Sequence, residues 1–391
     1  MVIRIALSSH DSVGLGHVRR NLAIAHALTR GLPALRGEEV TGILLTGDAS
    51  ATAFPAPPGW DWVVLPSVTV GEGGYRSRHL VAGIDRITAM RGGAAAAVLR
   101  AFGPDLFIVD RHPFGVHGEL TDAIRQLREH RPSCVTVLGL RDVLDRAAVA
   151  REEFRQLGGA SAVRDHYDAV WVYGDPTVHD MRDTGELPPG LHDLVSHTGY
   201  LAHGRSAPAT LDTARPFVLT TLGGGSDGVR TALAAAAAEV PAGHDHLVVT
   251  GPQMPAADRS RVRAAATAAT RIVDSVANMP ELVGRAAAVT GMGGYNTVCE
   301  VMSTATPLLV VPRASRRDEQ RIRAAALARV GAVETTAPEH LTAATVADFF
   351  ARSVGRRVTR TEVDLGGLDA IAPLAALTLD RTPQEAIAHA V

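Results

Sequence analysis

The chain has 391 residues, 46 % apolar, 4 % aromatic and 20 % charged, with a formal net charge of −2. That length holds two α/β domains with cores of their own, and the near-neutral balance points away from nucleic acid and from polybasic membrane binding. All 39 Lys+Arg residues are arginine, which excludes the P-loop lysine, the pyridoxal Schiff-base lysine and the amine of a class I aldolase.

Val2–Leu7 reads as a buried strand, followed by the loop Ser8-Ser9-His10-Asp11-Ser12-Val13-Gly14-Leu15-Gly16 and a helix from His17 to Arg30. Strand, Gly-loop, helix is the opening unit of a doubly wound sheet. A dinucleotide fingerprint is absent, because Arg19 stands where its third glycine belongs. Further strands are predicted at Val40–Leu45, Trp62–Leu65, Leu106–Asp110, Cys134–Leu140 and Ala169–Tyr173. Helices are expected over Val81–Phe102, Gly118–Glu129 and Ala147–Asp165. Ser67–His79, rich in Gly and Arg, reads as a mobile surface loop with little apolar surface.

Residues 204–215 lack periodicity and carry Pro208, as a linker does. A second alternation follows, with strands at Phe217–Leu222, His246–Thr250, Arg271–Asp274, Ala287–Thr290 and Pro307–Val311, and a helix from Val229 to Glu239. Thr382–His389 is a last amphipathic piece. Cys134 and Cys299 sit in apolar segments without a framework of pairs, which predicts a reducing cytoplasm. The short apolar start is no signal peptide, and no apolar run nears the ~18 residues of a bilayer span.

The most informative stretch runs from Met292 to Ala325. Gly293-Gly294-Tyr295-Asn296-Thr297 opens a helix, where unpaired N–H groups and the dipole favour an anion. Glu300 lies seven residues after Gly293, about two turns on, placed to accept hydrogen bonds from hydroxyls beside that anion. Phosphate at the helix end and ribose at the carboxylate is a nucleotide arrangement. A Pro-led strand and then Asp318-Glu319-Gln320 follow.

Gly-x-x-Thr-x-x-Glu, the Pro-led strand, Pro312 and the acid-Gln pair together resemble the donor signature of GT-B glycosyltransferases, in particular the MurG-like branch (family 28) and its bacterial predicted glycosyltransferases. The resemblance implies two Rossmann-like, doubly wound parallel-sheet domains facing a cleft. Residues 1–203 would form the acceptor domain and 216–375 the nucleotide-sugar domain, with 376–391 a helix crossing back to the first. It also implies that Glu300 holds the donor ribose and that Glu319 and Gln320 touch the donor sugar. Gly-Gly-Tyr-Asn stands here where many relatives have Ser-Gly-Ala.

His17 is the leading candidate for chemistry. It follows two glycines at a helix start, where the dipole keeps an imidazole neutral, and the resemblance puts the His of such a loop near the reaction centre. A capping or packing role is the alternative. His10 and Asp11 share the loop, and Asp11 is a second candidate for the base or for orienting a histidine. Gly223-Gly224-Gly225-Ser226 can surround a diphosphate with N–H groups, and with Gly16 it supplies a Gly-rich helix start in each half; a tight turn explains it equally. Asp110 with His112, and Arg141 with Asp142, end predicted strands, where α/β proteins bind ligands; they are acceptor-binding candidates or internal ion pairs. Arg313, Arg316 and Arg317 read as a solvated face, with phosphate contacts as the alternative. Neither Asp-x-Asp nor a His/Cys ligand pattern occurs, so no metal or cofactor is expected beyond the nucleoside-diphosphate sugar itself.

The reading is therefore a metal-independent, inverting glycosyltransferase acting on a small soluble acceptor, in keeping with secondary metabolism. Two alternatives are a UDP-sugar 2-epimerase or hydrolase of the same fold, using Asp11 with Asp110, and a non-catalytic nucleotide-sugar-binding protein.

Overall fold

The computed structural model of the chain describes residues 1–10, 15–71, 73–204, 215–276, 278–314 and 317–380. Asp11, Gly14, Arg316, nearly all of the expected linker and the piece Thr382–His389 lie outside the described residues. The chain divides into two compact units: Met1–Pro176, Asp180–Leu201 and Gly366–Val391 in the first, Thr177–His179 and Ala202–Leu365 in the second.

The first unit is built on β1 (Val2–Ser8), β2 (Glu39–Thr46), β3 (Trp60–Val64), β4 (Val68–Gly71), β5 (Gly74–Ser77), β6 (Leu106–Asp110), β7 (Val135–Arg141), β8 (Ala169–Tyr173) and β9 (Val195–His197). Its helices are α1 (Gly16–Arg36), α2 (Ile84–Phe102), α3 (Thr121–His130), α4 (Ala147–Gln156) and α5 (Gly159–Arg164). Seven strands form one parallel sheet in the order β3-β2-β1-β6-β7-β8-β9. Strands buried on both faces must be apolar throughout, and β6 and β8 are buried at every position. The order reverses between β1 and β6, in register Ser8↔Val109, so the crevice typical of open α/β sheets opens at the carboxyl ends of these two strands.

Two expectations change here. Ala147–Asp165 is two helices, because Gly158 and Gly159 take φ of 94° and 80°, a backbone no helix interior contains. Residues 67–79 hold an antiparallel hairpin rather than a loop, pairing Val68 with Ser77 and Val70 with Tyr75. The alternating β-branched Val68 and Val70 carry that signal. Val68 is buried against Ile87 and Val116, while Val70 and, just beyond the hairpin, Leu80 and Val81 are exposed. The segment thus shows more apolar surface than expected.

The second unit holds β10 (Phe217–Thr221), β11 (Asp245–Val249), β12 (Thr270–Val273), β13 (Val289–Gly291), β14 (Leu308–Val310) and β15 (Glu334–Thr335). Between them run α6 (Val229–Ala236), α7 (Ala256–Ala265), α8 (Met279–Arg285), α9 (Tyr295–Met302), α10 (Glu319–Arg329) and, after β15, α11 (Ala343–Ser353). The sheet is again parallel, ordered β12-β11-β10-β13-β14-β15, and reverses between β10 and β13. Val218, Leu309, Phe349 and Phe350 anchor its core.

The last helix, α12 (Gly367–Asp380), belongs to the first unit and packs on α1. The two approach so closely that a Cβ on Gly31 would lie 2.6 Å from that of Ala372. The expected boundary at 375/376 therefore falls inside a helix, and the chain re-enters the first unit at Gly366.

Candidate functional site

In the first unit, α1 is fixed over the switch point by Asn21, whose Nδ2 donates to Ser9 Oγ at 2.9 Å. This brings His17, in the first turn of α1, to the end of β6. His17 Nδ1 lies 2.5 Å from Asp110 Oδ2. Arg20, one turn further along α1, donates through Nη2 to both Asp110 oxygens at 2.6 and 2.7 Å and lies 3.0 Å from His17 Nδ1. Asp110 is wholly buried, Arg20 is 2 % exposed and His17 keeps 17 % of its side chain exposed.

The electrostatics follow from that geometry. Burial alone would raise the Asp110 carboxyl, but the Arg20 guanidinium and His17 outweigh it and hold the group well below the usual carboxylate range. An ionised Asp110 accepts, so His17 carries its proton on Nδ1 and presents a lone pair on Nε2. Burial, aided by Arg20 and Arg141 and opposed by Asp110, lowers the His17 pKa, so the ring is neutral at pH 7. His10 is lowered further, first by burial and then by His17.

Around His17 stands a group of rings. His10 lies 5.5 Å from His17 and 4.0 Å from His112, centroid to centroid, and its Nε2 lies 3.3 Å from Tyr75 Oη, within hydrogen-bond reach. Tyr75 in turn meets His117 edge-on at 5.7 Å. The structure thus gathers His10, His17, Asp110 and His112. Asp142 is fully buried, and its Oδ1 accepts from the Val143 N–H at 2.9 Å. Tyr75 lies on the hairpin strand whose glycines and arginines resemble a loop, and only the Val68/Val70 alternation opposite it marks a strand partner.

In the second unit, three loops converge at the carboxyl ends of β10, β13 and β14. Gly225 takes φ 87°, and a Cβ there would lie 2.1 Å from Thr250 O. Gln253 N donates to Gly224 O at 2.9 Å, so the Gly-rich turn is pressed against the loop after β11. Gly223, Gly224 and Ser226 are exposed. Gly293 takes φ 80°, which a side chain would strain, and its carbonyl accepts from Arg323 Nη1 at 3.0 Å; Arg323 also lies over the Tyr295 ring. Gly294 begins α9 without a capping side chain, with Asn296 and Thr297 half-buried in its first turn and Glu300 1 % exposed two turns on.

Arg313, expected on a solvated face, is instead an internal tie. It pairs with Glu319 and, at 3.3 Å, with Asp227, while its N–H donates to Gln320 Oε1 at 3.0 Å. A guanidinium presents several donors in a rigid fork, which lets one residue join the loops after β10 and β14. Glu319 and Gln320 are both buried in this network. Among the described residues no group of His, Cys, Asp or Glu is arranged to hold a metal ion, and no helix is long and apolar enough to cross a membrane.

Residues 219–353 match the model of the glycosyltransferase family 28 C-terminal domain. No curated protein sequence matches the chain. Among solved structures it is similar to the calicheamicin glycosyltransferase CalG4, with a TM-score of 0.55, 15 % identity, and coverage of 99 % of this chain and 97 % of that one. It is similar also to glycosyltransferase VinC in complex with DTDP, with a TM-score of 0.57, 16 % identity and coverage of 99 % and 98 %. SnogD from Streptomyces nogalater gives a TM-score of 0.55 at 15 % identity, over 97 % of this chain and 100 % of that one. The fold is GT-B.

Proposed function

We infer, from the premise that this chain is a glycosyltransferase of the GT-B type, that it moves a sugar from a nucleoside-diphosphate sugar to an acceptor hydroxyl with inversion, using His17 as the base. The observation that carries this reading is the 2.5 Å contact of His17 Nδ1 with Asp110. A packing histidine has no need of an ionised carboxylate that is itself locked by a buried arginine; a base does, because the pair fixes the tautomer and stabilises the imidazolium that forms. In the proposed reaction the acceptor O–H gives its proton to Nε2 of His17. The acceptor oxygen bonds to the anomeric carbon, and the bond from that carbon to the diphosphate breaks on the opposite face. The diphosphate leaves with the electron pair.

For the donor, we propose that the Gly223–Ser226 turn and the start of α9 receive the diphosphate through main-chain N–H groups, which offset the leaving charge without reorganisation. Asn296 and Thr297 add side-chain donors, and Glu300 accepts from a hydroxyl of the donor's pentose. Glu319 and Gln320, held by Arg313, complete the sugar side. VinC is described with DTDP, which favours a deoxythymidine diphosphate donor here, and the natural-product relatives favour a small acceptor from secondary metabolism. Exposed Val70, Leu80 and Val81 add the view that this acceptor has an apolar body.

The epimerase alternative needs Asp110 as an acid or base on the sugar. Arg20 and His17 both bond to its oxygens, which favours Asp110 as the support of His17 over a direct role on the sugar. The test is His17→Ala. Turnover should fall by about 10²–10⁴, the range of a general base, with nucleoside-diphosphate binding by thermal shift unchanged. Wild-type turnover in the variant removes His17 from the chemistry.

A further inference from the structure

Asp110 is aimed by an unusual piece of backbone. Arg111, the next residue, has φ 69°, in the left-handed region that a side chain rarely adopts. The His112 N–H donates to the Asp110 carbonyl at 2.9 Å, so residues 110–112 close a three-residue turn, a strained form when φ is positive. The turn reverses the chain at the end of β6, sending Asp110 onto His17 and His112 against the His10 ring. Without it β6 would continue extended, and residues on either side of Arg111 would share one face.

Something must hold a non-glycine residue there, since such strain persists only where its surroundings over-determine it. Two contacts do so. The Arg111 N–H donates to Gly139 O on β7 at 2.8 Å, and Arg111 Nη2 pairs with Glu153 Oε2 on α4 at 2.7 Å. The Arg111 side chain is 6 % exposed and that of Glu153 27 %, so this pair is partly shielded from solvent and salt, more than fully exposed pairs are. We propose that Arg111 and Glu153 are positioning residues: their ion pair clamps the strained turn that sets Asp110 against His17 and His112 against His10. This rests on the reading of His17 as the base, and neither residue is given a contact with substrate.

The clamp is needed only because residue 111 carries a side chain. Glycine adopts φ 69° without strain, so Arg111→Gly removes the clamp and the need for it together, whereas Arg111→Ala removes only the clamp. Glu153→Ala should behave like Arg111→Ala, and Arg111→Gly in the Glu153→Ala background should restore function. Two readouts apply to the full chain: turnover, and the His17 imidazole titration followed by NMR. His17 feels Asp110 from β6, Arg20 from its own helix and Arg141 from β7, and itself lowers His10 in the loop after β1. Of these only Asp110 raises its pKa, so a displaced Asp110 moves the titration to lower pH.

The expected result is a loss of turnover on the order of tenfold to a hundredfold in Arg111→Ala and Glu153→Ala, as for a reacting group misplaced by about 1 Å. The His17 titration should move down in both, and both readouts should be near wild type in Arg111→Gly and in Arg111→Gly/Glu153→Ala. Arg111→Ala with wild-type titration overturns the proposal, and so does Arg111→Gly as impaired as Arg111→Ala. A titration that moves as expected while turnover stays constant upholds the clamp and sinks instead the assignment of His17 as base.

Discussion

Asp110→Asn separates the two duties of the buried carboxylate. Arg20, 2 % exposed, donates to both oxygens, and the asparagine must turn its one acceptor oxygen to that cation. Its NH₂ then faces His17 Nδ1, which has to accept, forcing the ring proton onto Nε2 and abolishing the base. Turnover should drop by about 10²–10⁴. The same change breaks the buried Arg20–Asp110 ion pair, and removing one partner of a buried pair costs about 3–5 kcal/mol. At roughly 2–4 °C per kcal/mol for a domain of about 150–250 residues, the first unit should melt roughly 6–20 °C lower. His17→Ala loses the base and keeps the Arg20–Asp110 pair, so its melting temperature should change far less. The assays are steady-state turnover and calorimetric melting of both variants and of the double variant, whose turnover should fall little below either single one. Multiplying losses in the double variant, or an Asp110→Asn protein that melts and turns over like wild type, would refute the reasoning.

Three further outcomes follow from the second unit. Gly225→Ala places a Cβ 2.1 Å from Thr250 O at φ 87°; it should destabilise by about 1–3 kcal/mol, read as a lowered melting temperature, with an unchanged one counting against the packed turn. Glu300→Gln should weaken nucleoside-diphosphate binding about tenfold to a hundredfold, the worth of a charge-assisted hydrogen bond of about 1.5–3 kcal/mol, while a 2′,3′-dideoxy nucleotide should bind both forms alike in calorimetry. His246 is buried between Thr220 and Phe350, and burial lowers its pKa to about 3. Because the unfolded chain binds the proton more tightly, the stability this group confers is full above about pH 6.5 and declines as pH falls from there toward 3. Between pH 6.5 and 5 wild type should lose about 2 kcal/mol more than His246→Phe in urea titrations; parallel loss in the two would disprove it.

The sheet frame was legible because parallel strands buried on both faces leave uninterrupted apolar runs: Leu106–Asp110 and Ala169–Tyr173 were read to the residue. Helix ends were less so, since α1 continues to Arg36 through Pro33, held by packing that no local pattern encodes. The Val68–Ser77 hairpin was obscured by its glycines and arginines, and with it the Tyr75 contact to His10. Neighbours along one loop and helix were legible from spacing, as from Gly293 before α9 to Glu300 on it. Pairings across the sheet were not: nothing local says that Asp110 meets His17, 93 positions away, until β1 and β6 are seen to be neighbours at the switch point. Arg313 was misjudged for the same reason, its partners Asp227 and Glu319 belonging to different loops.

The most direct measurement is the stoichiometry of nucleoside-diphosphate release from a deoxythymidine-diphosphate sugar, with and without a hydroxyl-bearing acceptor, together with the mass of the acceptor. Release should depend on acceptor, match one added sugar per molecule released, and nearly vanish in His17→Ala. Conversion of the sugar with no acceptor present, or acceptor-dependent release as fast in His17→Ala as in wild type, would contradict the proposed reaction.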